Sequence, residues 1–168
     1  MSTLYLHVNV NMDYMPVAQY CDPYNERTIR SPLCFTAGFR KTIKLTLFKS
    51  RDEGTEPFRL PEGLVKWIFV IDRDFLKSTT PIVELDSEDI EVTETDTETS
   101  FEITVNDTWS ATLIAELEAR GIHEWSQVTG YIGELDGYTE DNHCYFCLQL
   151  EDIVFYNTPR RVADLPEE

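Results

Sequence analysis

Apolar residues recur at every second position near the start of the chain. Leu4, Leu6, Val8, Val10 and Met12 hold even positions, while His7, Asn9 and Asn11 hold odd ones. Successive side chains of a strand point to opposite faces, so a period of two predicts a strand with one face buried. The pattern dissolves between Pro16 and Pro32, in "PVAQYCDPYNERTIRSP", where prolines and turn formers predict a long loop. A short apolar stretch, Leu33 to Phe35, precedes Gly38. In "GFRKTIKLTLFKS", Ile43, Leu45 and Leu47 face one way and Lys44 and Thr46 the other, which predicts a second half-buried strand. "SRDEGTEPFRLPEG", with two glycines and two prolines, reads as loop. "LVKWIFVIDRD" is apolar on both parities: Val65, Trp67, Phe69 and Ile71 stand against Ile68 and Val70. Such a run predicts a central strand covered twice, or one that changes its buried face. Its β-branched and aromatic content favours strand over helix.

The stretch from residue 83 to 109 is dense in carboxylates and holds no Lys or Arg. Short apolar patches interrupt it, the first starting one residue before it: Ile82, Val83 and Leu85, then Ile90 and Val92, then Phe101, Ile103 and Val105. Acids and threonines fill the positions between, so the run reads as a meander whose outer face and turns are acidic. A hairpin connection falls between Val92 and Phe101. One segment predicts a helix: in "NDTWSATLIAELEARGI", Trp109, Leu113, Ile114 and Leu117 share a face. Asp107 or Thr108 can cap its start, Gly121 sits where a left-handed residue ends a helix, and Glu116 and Arg120 form an i,i+4 pair. Two closing segments, "SQVTGYIGELDG" and "CYFCLQLEDIVFYN", flank the polar "YTEDNH". The second is compatible with one long strand or with two meeting near Glu151-Asp152. "TPRRVADLPEE" reads as a surface tail.

These elements predict an all-β chain in the main, an antiparallel immunoglobulin-like β-sandwich with one short crossing α-helix. Its 168 residues fit a single domain (1–168), with an N-terminal strand and loop extension over 1–37 and the tail over 158–168. Apolar residues at 42% and aromatics at 12% suffice for a packed core and exclude a disordered chain. The formal net charge of −17 argues against nucleic acid and anionic membrane surfaces as partners, since both are bound through Lys and Arg. The opening residues show neither a basic leader nor a continuous apolar run, which predicts folding in the cytoplasm of the producing cell with reduced thiols.

Candidate chemistry is sparse. Cys144 and Cys147 form a C-x-x-C pair, but on an extended strand residues three apart face opposite ways, against both a zinc ribbon and a redox dithiol. Cys21 and Cys34 lie thirteen residues apart across the loop and are compatible with a disulfide or with free thiols. His7, His123 and His143 are scattered and predict no metal centre. No window fits the calcium loop of an EF-hand, and no P-loop, G-x-G-x-x-G or nucleophile elbow occurs. Carboxylate pairs are too abundant to indicate glycoside hydrolysis. Neither a cofactor nor catalytic residues are expected. The loop carrying Tyr14, Tyr20 and Tyr24 beside Arg27 and Arg30 is the candidate partner surface, because Tyr and Arg are enriched at interface hot spots. The competing expectation folds that loop back with its rings half buried.

From Gly38 onward the order of "GFRKTIKLTLFKS", "VKWIFVIDRD", "PIVELDSEDIEV", "SFEITVNDTWSATL" and "YFCLQLEDIVFYN" resembles the N-terminal immunoglobulin-like domain of phage baseplate upper proteins and prophage tail-fibre proteins. The match covers roughly residues 38 to 157. The first 37 residues are extra, and "HEWSQVTGYIGELDGYTEDNH" is longer than the usual link. The resemblance implies a non-enzymatic attachment domain of a symmetric tail or baseplate, held in an oligomeric virion particle by contacts with other tail proteins. Two alternatives stand beside it: a carbohydrate- or ligand-binding sandwich module, and an enzyme built on a carboxylate pair or an unrecognised metal centre.

Overall fold

The computed structural model describes residues 2–10, 18–21, 33–51, 54–73 and 80–158. The C-terminal segment expected to be a tail lies, from residue 159 on, outside them. The chain opens with β1 (Ser2–Asn9), where the predicted alternation holds: Leu6, Val8 and the following Val10 are buried and Leu4 packs against the core. Two three-residue strands follow, β2 (Gln19–Cys21) and β3 (Cys34–Thr36), the first of them inside the segment expected to be loop. β4 (Lys41–Arg51) buries Ile43, Leu45 and Leu47 as expected.

β5 (Gly54–Pro57) is a strand where loop was predicted. Its partner explains it. The far end of β4, from Phe48 to Arg51, needs acceptors and donors for its backbone, and β5 supplies them in antiparallel register despite a composition rich in turn formers. β6 (Leu64–Arg73) buries Trp67, Phe69 and Ile71, while Ile68 and Val70 on its other face are only half covered and Val65 is exposed. Full cover on both faces is therefore not what this strand has.

β7 (Val83–Leu85) leads into a 3-10 turn at Ser87–Asp89, where the Asp86 carboxylate accepts from the Glu88 amide at 3.0 Å. β8 (Ile90–Glu94) and β9 (Thr99–Val105) form the expected hairpin. The acids of this run face water at Glu84, Asp86, Glu88, Glu91, Glu94, Asp96 and Glu102. The Arg59 guanidinium donates to the carbonyls of Thr95 and Asp96 and holds the hairpin turn. α1 (Trp109–Ala119), β10 (Gln127–Thr139) and β11 (Cys144–Tyr156) complete the chain.

Two packed sheets result. The first has the order β2-β1-β4-β9-β8, with β5 continuing the β4 edge beyond the point where β9 leaves it. The second has the order β3-β11-β10-β6-β7. Pairing is mainly antiparallel, but β1 runs parallel to β4 and β3 parallel to β11. The antiparallel sandwich with one helix expected from the sequence is what forms, with these two parallel pairs added to it. Periodicity sets which face of a strand is buried and carries no information on strand direction.

The acid run is also not one continuous meander, since β7 belongs to the second sheet and β8 and β9 to the first. The helix then carries the chain back from β9 in the first sheet to β10 in the second. Trp109, Leu113 and Leu117 are its buried side, and Ile114, expected to share it, is 41% exposed. Thr108 stands at the N-cap, but its hydroxyl donates to Asn106 Oδ1 at 3.0 Å rather than capping the helix. Gly121, at φ +80°, ends the helix, with the Ile122 amide donating back to the Leu117 carbonyl at 2.8 Å. Glu116 lies 4.0 Å from Arg120, the predicted pair, and also binds Arg73 of β6, which ties the helix to the second sheet.

The core fills the space between the sheets. Trp67 of one sheet meets Phe101 of the other edge-on at 4.9 Å, and Phe146 lies within 6 Å of both rings. Phe155 sits between Trp109 and Tyr131, at 4.7 and 4.9 Å. Among the described residues, no helix is long and apolar enough to cross a membrane.

Candidate functional site

The outer face of the second sheet carries the one convergence of metal-ligating donors among the described residues. β10 turns Tyr131, Gly133, Leu135 and Gly137 inward, so Ile132, Glu134, Asp136 and Tyr138 face out, half-buried. On β11, Phe146 and Leu148 point inward and Cys147 and Gln149 outward. The register places Glu134 between Val70 and Gln149, and Asp136 between Ile68 and Cys147.

Donor atoms of Glu134, Asp136 and Cys147 lie within 4.8 Å of one another. The Cys147 thiol donates to Glu134 Oε1 at 2.8 Å. Asp136 Oδ1 is shut off from water and accepts no hydrogen bond. With Ile68 and Val70 alongside, these groups sit in surroundings that solvate charge poorly. Burial, opposed by hydrogen bonds from Cys147 and Tyr138 and reinforced by the negative charge of Glu134, pushes the Asp136 carboxyl up to about 6. Burial and the hydrogen bond to Glu134 push the Cys147 thiol up as well. Tyr138 is raised by burial and then by the Asp136 charge, and Cys144 by the same two causes in the same order. The arrangement can hold a proton between two carboxylates and a thiol, or exchange that proton for a cation.

The sequence expectation for the C-x-x-C pair is corrected here. Cys144 and Cys147 stand opposite Tyr138 and Asp136, both outward residues, because the register shifts between Gly137 and Tyr138. An extra residue in one strand breaks the alternation on which the opposite-face argument relied. Cys144 lies outside the three-donor cluster, and all four cysteines are free thiols. Cys21 and Cys34 belong to different sheets, in β2 and β3.

Of the predicted contact residues, Tyr14, Tyr24, Arg27 and Arg30 lie outside the described residues. Tyr20 is described and is 4% exposed, because it opposes Val8 on the inward side of β2. Its ring belongs to the core, which corrects its assignment to a contact surface. His7 lies on the outer face of β1 with its ring 6.5 Å from Phe48, His143 sits in the β10–β11 turn 6.2 Å from the Tyr145 ring, and His123 is exposed after the helix. None of the three joins the donor cluster.

Sequence reasoning weighed Cys147 only within the C-x-x-C pair and missed Glu134 and Asp136. The available signal was "GELDG", two acids at i and i+2 on a strand, which share a face by period alone. Compared with protein-family models and with curated proteins, the chain matches none.

Proposed function

We propose that this sandwich is a non-enzymatic attachment domain that acts through protein–protein contacts, in the manner of the immunoglobulin-like domains of phage and prophage tails or baseplates. The observation that carries the proposal is the filled interior. Phe69, Leu135, Leu148, Phe101 and Leu45 are fully buried between the sheets, so the residues that apposed sheets would use to line a ligand cavity are spent on packing. What remains to act is the surface.

That surface is suited to face contacts rather than strand addition. The end strands β2, β3 and β7 have three residues each, and β8 has five with Glu91 and Glu94 exposed on it. Short or charged edges resist pairing with another chain. By contrast Tyr5, Tyr145 and Val65 are 68%, 62% and 56% exposed. Other tail proteins are the partners this reading assigns, and the assembled virion the place.

Native mass spectrometry of the full chain, alone and co-expressed with proteins of the adjacent genes, tests the proposal. A defined oligomer or a stable complex with a virion protein is expected. A strict monomer whose gene has no virion genes beside it would overturn the reading. A second reading is favoured by one observation: Tyr145 stacks near the His143 ring with an interplanar angle of 27°, a flat exposed platform of the kind that sugars cover. Under that reading a glycan array gives signal with the wild-type chain and none with Tyr145→Ala.

A further inference from the structure

We propose that Glu134, Asp136 and Cys147 form a binding site for a thiophilic divalent cation of the Zn²⁺ class, bridging β10 and β11 on the outer face of the second sheet. The site does not depend on the attachment reading above. Three observations carry it. The donors come from two hydrogen-bonded strands, so the backbone register fixes their separation: Asp136 faces Cys147 directly, and Glu134 lies two residues along on the same face. Their ligand atoms already converge to within 4.8 Å. Ligands on a tetrahedral zinc at 2.0–2.3 Å stand about 3.4 to 3.6 Å from one another, so the widest pair must close by at most roughly 1 Å and the Cys147–Glu134 pair, at 2.8 Å, must open by a little less, both within reach of side-chain rotation.

The second observation is the orphaned Asp136 Oδ1. Cys147 and Tyr138 stand within hydrogen-bonding reach of the carboxyl, but Oδ1 itself is closed to water and accepts no hydrogen bond, a cost that a positive partner would relieve. Lys66, which opposes Tyr138 on β6, does not provide one, because its ammonium donates to Asn142 Oδ1 at 2.6 Å. The third observation is the donor set. Two carboxylate oxygens and one thiol suit a borderline or soft ion, whereas Mg²⁺ and Ca²⁺ take oxygen alone.

Binding exchanges one cation for one proton. The S–H bond of Cys147 breaks as the sulfur–metal bond forms, and the proton leaves to solvent by way of Glu134, which already accepts it at 2.8 Å. Three protein ligands leave a fourth position open to water. Loaded, the site would staple the β10–β11 hairpin and lower the surplus negative charge by one, since two positive charges enter and one leaves with the proton.

The test uses the full chain, freed of metal by chelator and titrated with Cd²⁺ while the thiolate-to-cadmium charge-transfer band in the ultraviolet is followed, with Zn²⁺ as competitor. One equivalent is expected to saturate the band, Zn²⁺ to displace it, and a large excess of Mg²⁺ to leave it in place. Cys147→Ser, with Cys21, Cys34 and Cys144 still present, should abolish the band. Asp136→Asn should keep the band at saturation but weaken the affinity by at least about tenfold. Both variants are checked for native circular dichroism, and Asp136→Asn carries the test should Cys147→Ser fail to fold. An undiminished band in Cys147→Ser, unaltered affinity in Asp136→Asn, or displacement by Mg²⁺ would each overturn the proposal, the last by assigning the binding to surface carboxylates.

Discussion

A methyl group built onto Gly137 would come within 2.7 Å of the Trp67 ring, and Trp67 has nowhere to go, wedged between Phe101 and Phe146. Gly137→Ala is therefore expected to destabilise the fold by about 1–3 kcal/mol, the usual cost of overpacking a filled core. Gly133 tells a different story on the same strand. There the nearest atom, at 3.0 Å, is the terminal methyl of Ile153, which can rotate, so Gly133→Ala should stay within about 1 kcal/mol of wild type. Urea unfolding of both variants separates the two cases. Asp136 adds a pH dependence. Its folded pKa of about 6 lies above the ordinary carboxyl value of 3.8, so the folded state holds the proton more tightly. Its contribution to stability is fully present below the unfolded pKa and is lost as pH rises from about 4 through 6. Asp136→Asn in chelator should therefore exceed wild type in stability at pH 7.5 by about 1 kcal/mol, after discounting for the water that still screens a half-exposed carboxyl. That advantage should vanish near pH 4. An advantage that is constant with pH would show that the carboxyl is not the cause.

The strands β1, β4, β8 and β9 could be read from alternation because each has one wet and one packed face, and that contrast is what a period of two records. Legibility failed where partner and direction decide. β5 has turn-like residues and is a strand only because β4 has an open edge, and neither parallel pair leaves a mark on periodicity. β11 shows how much one irregularity can hide. Its buried residues are even through Phe146, Leu148 and Leu150, then odd at Ile153 and Phe155, so a single strand changes parity across Glu151-Asp152. The open question of one strand or two is resolved by a bulge, with Asp152 at φ +58°. A second shift, by Gly137/Tyr138, sets Asp136 opposite Cys147 rather than Phe146. The candidate site depends on that slip, and no composition or spacing announces it. The left-handed residue gives a test at this scale. Asp152→Gly should be neutral or slightly stabilising, whereas Asp152→Val should cost about 1–2 kcal/mol, because a β-branched side chain clashes with its own backbone there. Equal effects in thermal melts would mean that the bulge is absent in solution.

Charge acts across the whole molecule, and here the acid run returns in a different role. A chain with net charge −17 repels itself when compact, and the repulsion is concentrated where Glu91 stands directly opposite Glu102 on the β8–β9 hairpin. Lys44 opposes Glu102 from β4 and pairs with Glu98 at 3.1 Å, so one cation is set among several anions on that face. The acids point to water while their chain neighbours Ile90, Phe101 and Ile103 point to the core, and for that reason the fold tolerates them. Solvent and salt can weaken the repulsion without any rearrangement. Raising NaCl from about 0.01 to 0.15 M shortens the screening length from about 30 to 8 Å. The urea midpoint in chelator should therefore rise with salt. Glu91→Lys replaces a like-charge pair by an opposite one, and a gain of about 0.2–1 kcal/mol is expected at low salt. Because the net charge falls as well, the salt response of that variant should be shallower than that of wild type. A midpoint that falls with NaCl would instead show that attractive pairs such as Lys44–Glu98 and Arg73–Glu116 outweigh the repulsion, and the acid face would then have to be counted among the forces that hold the sheets together.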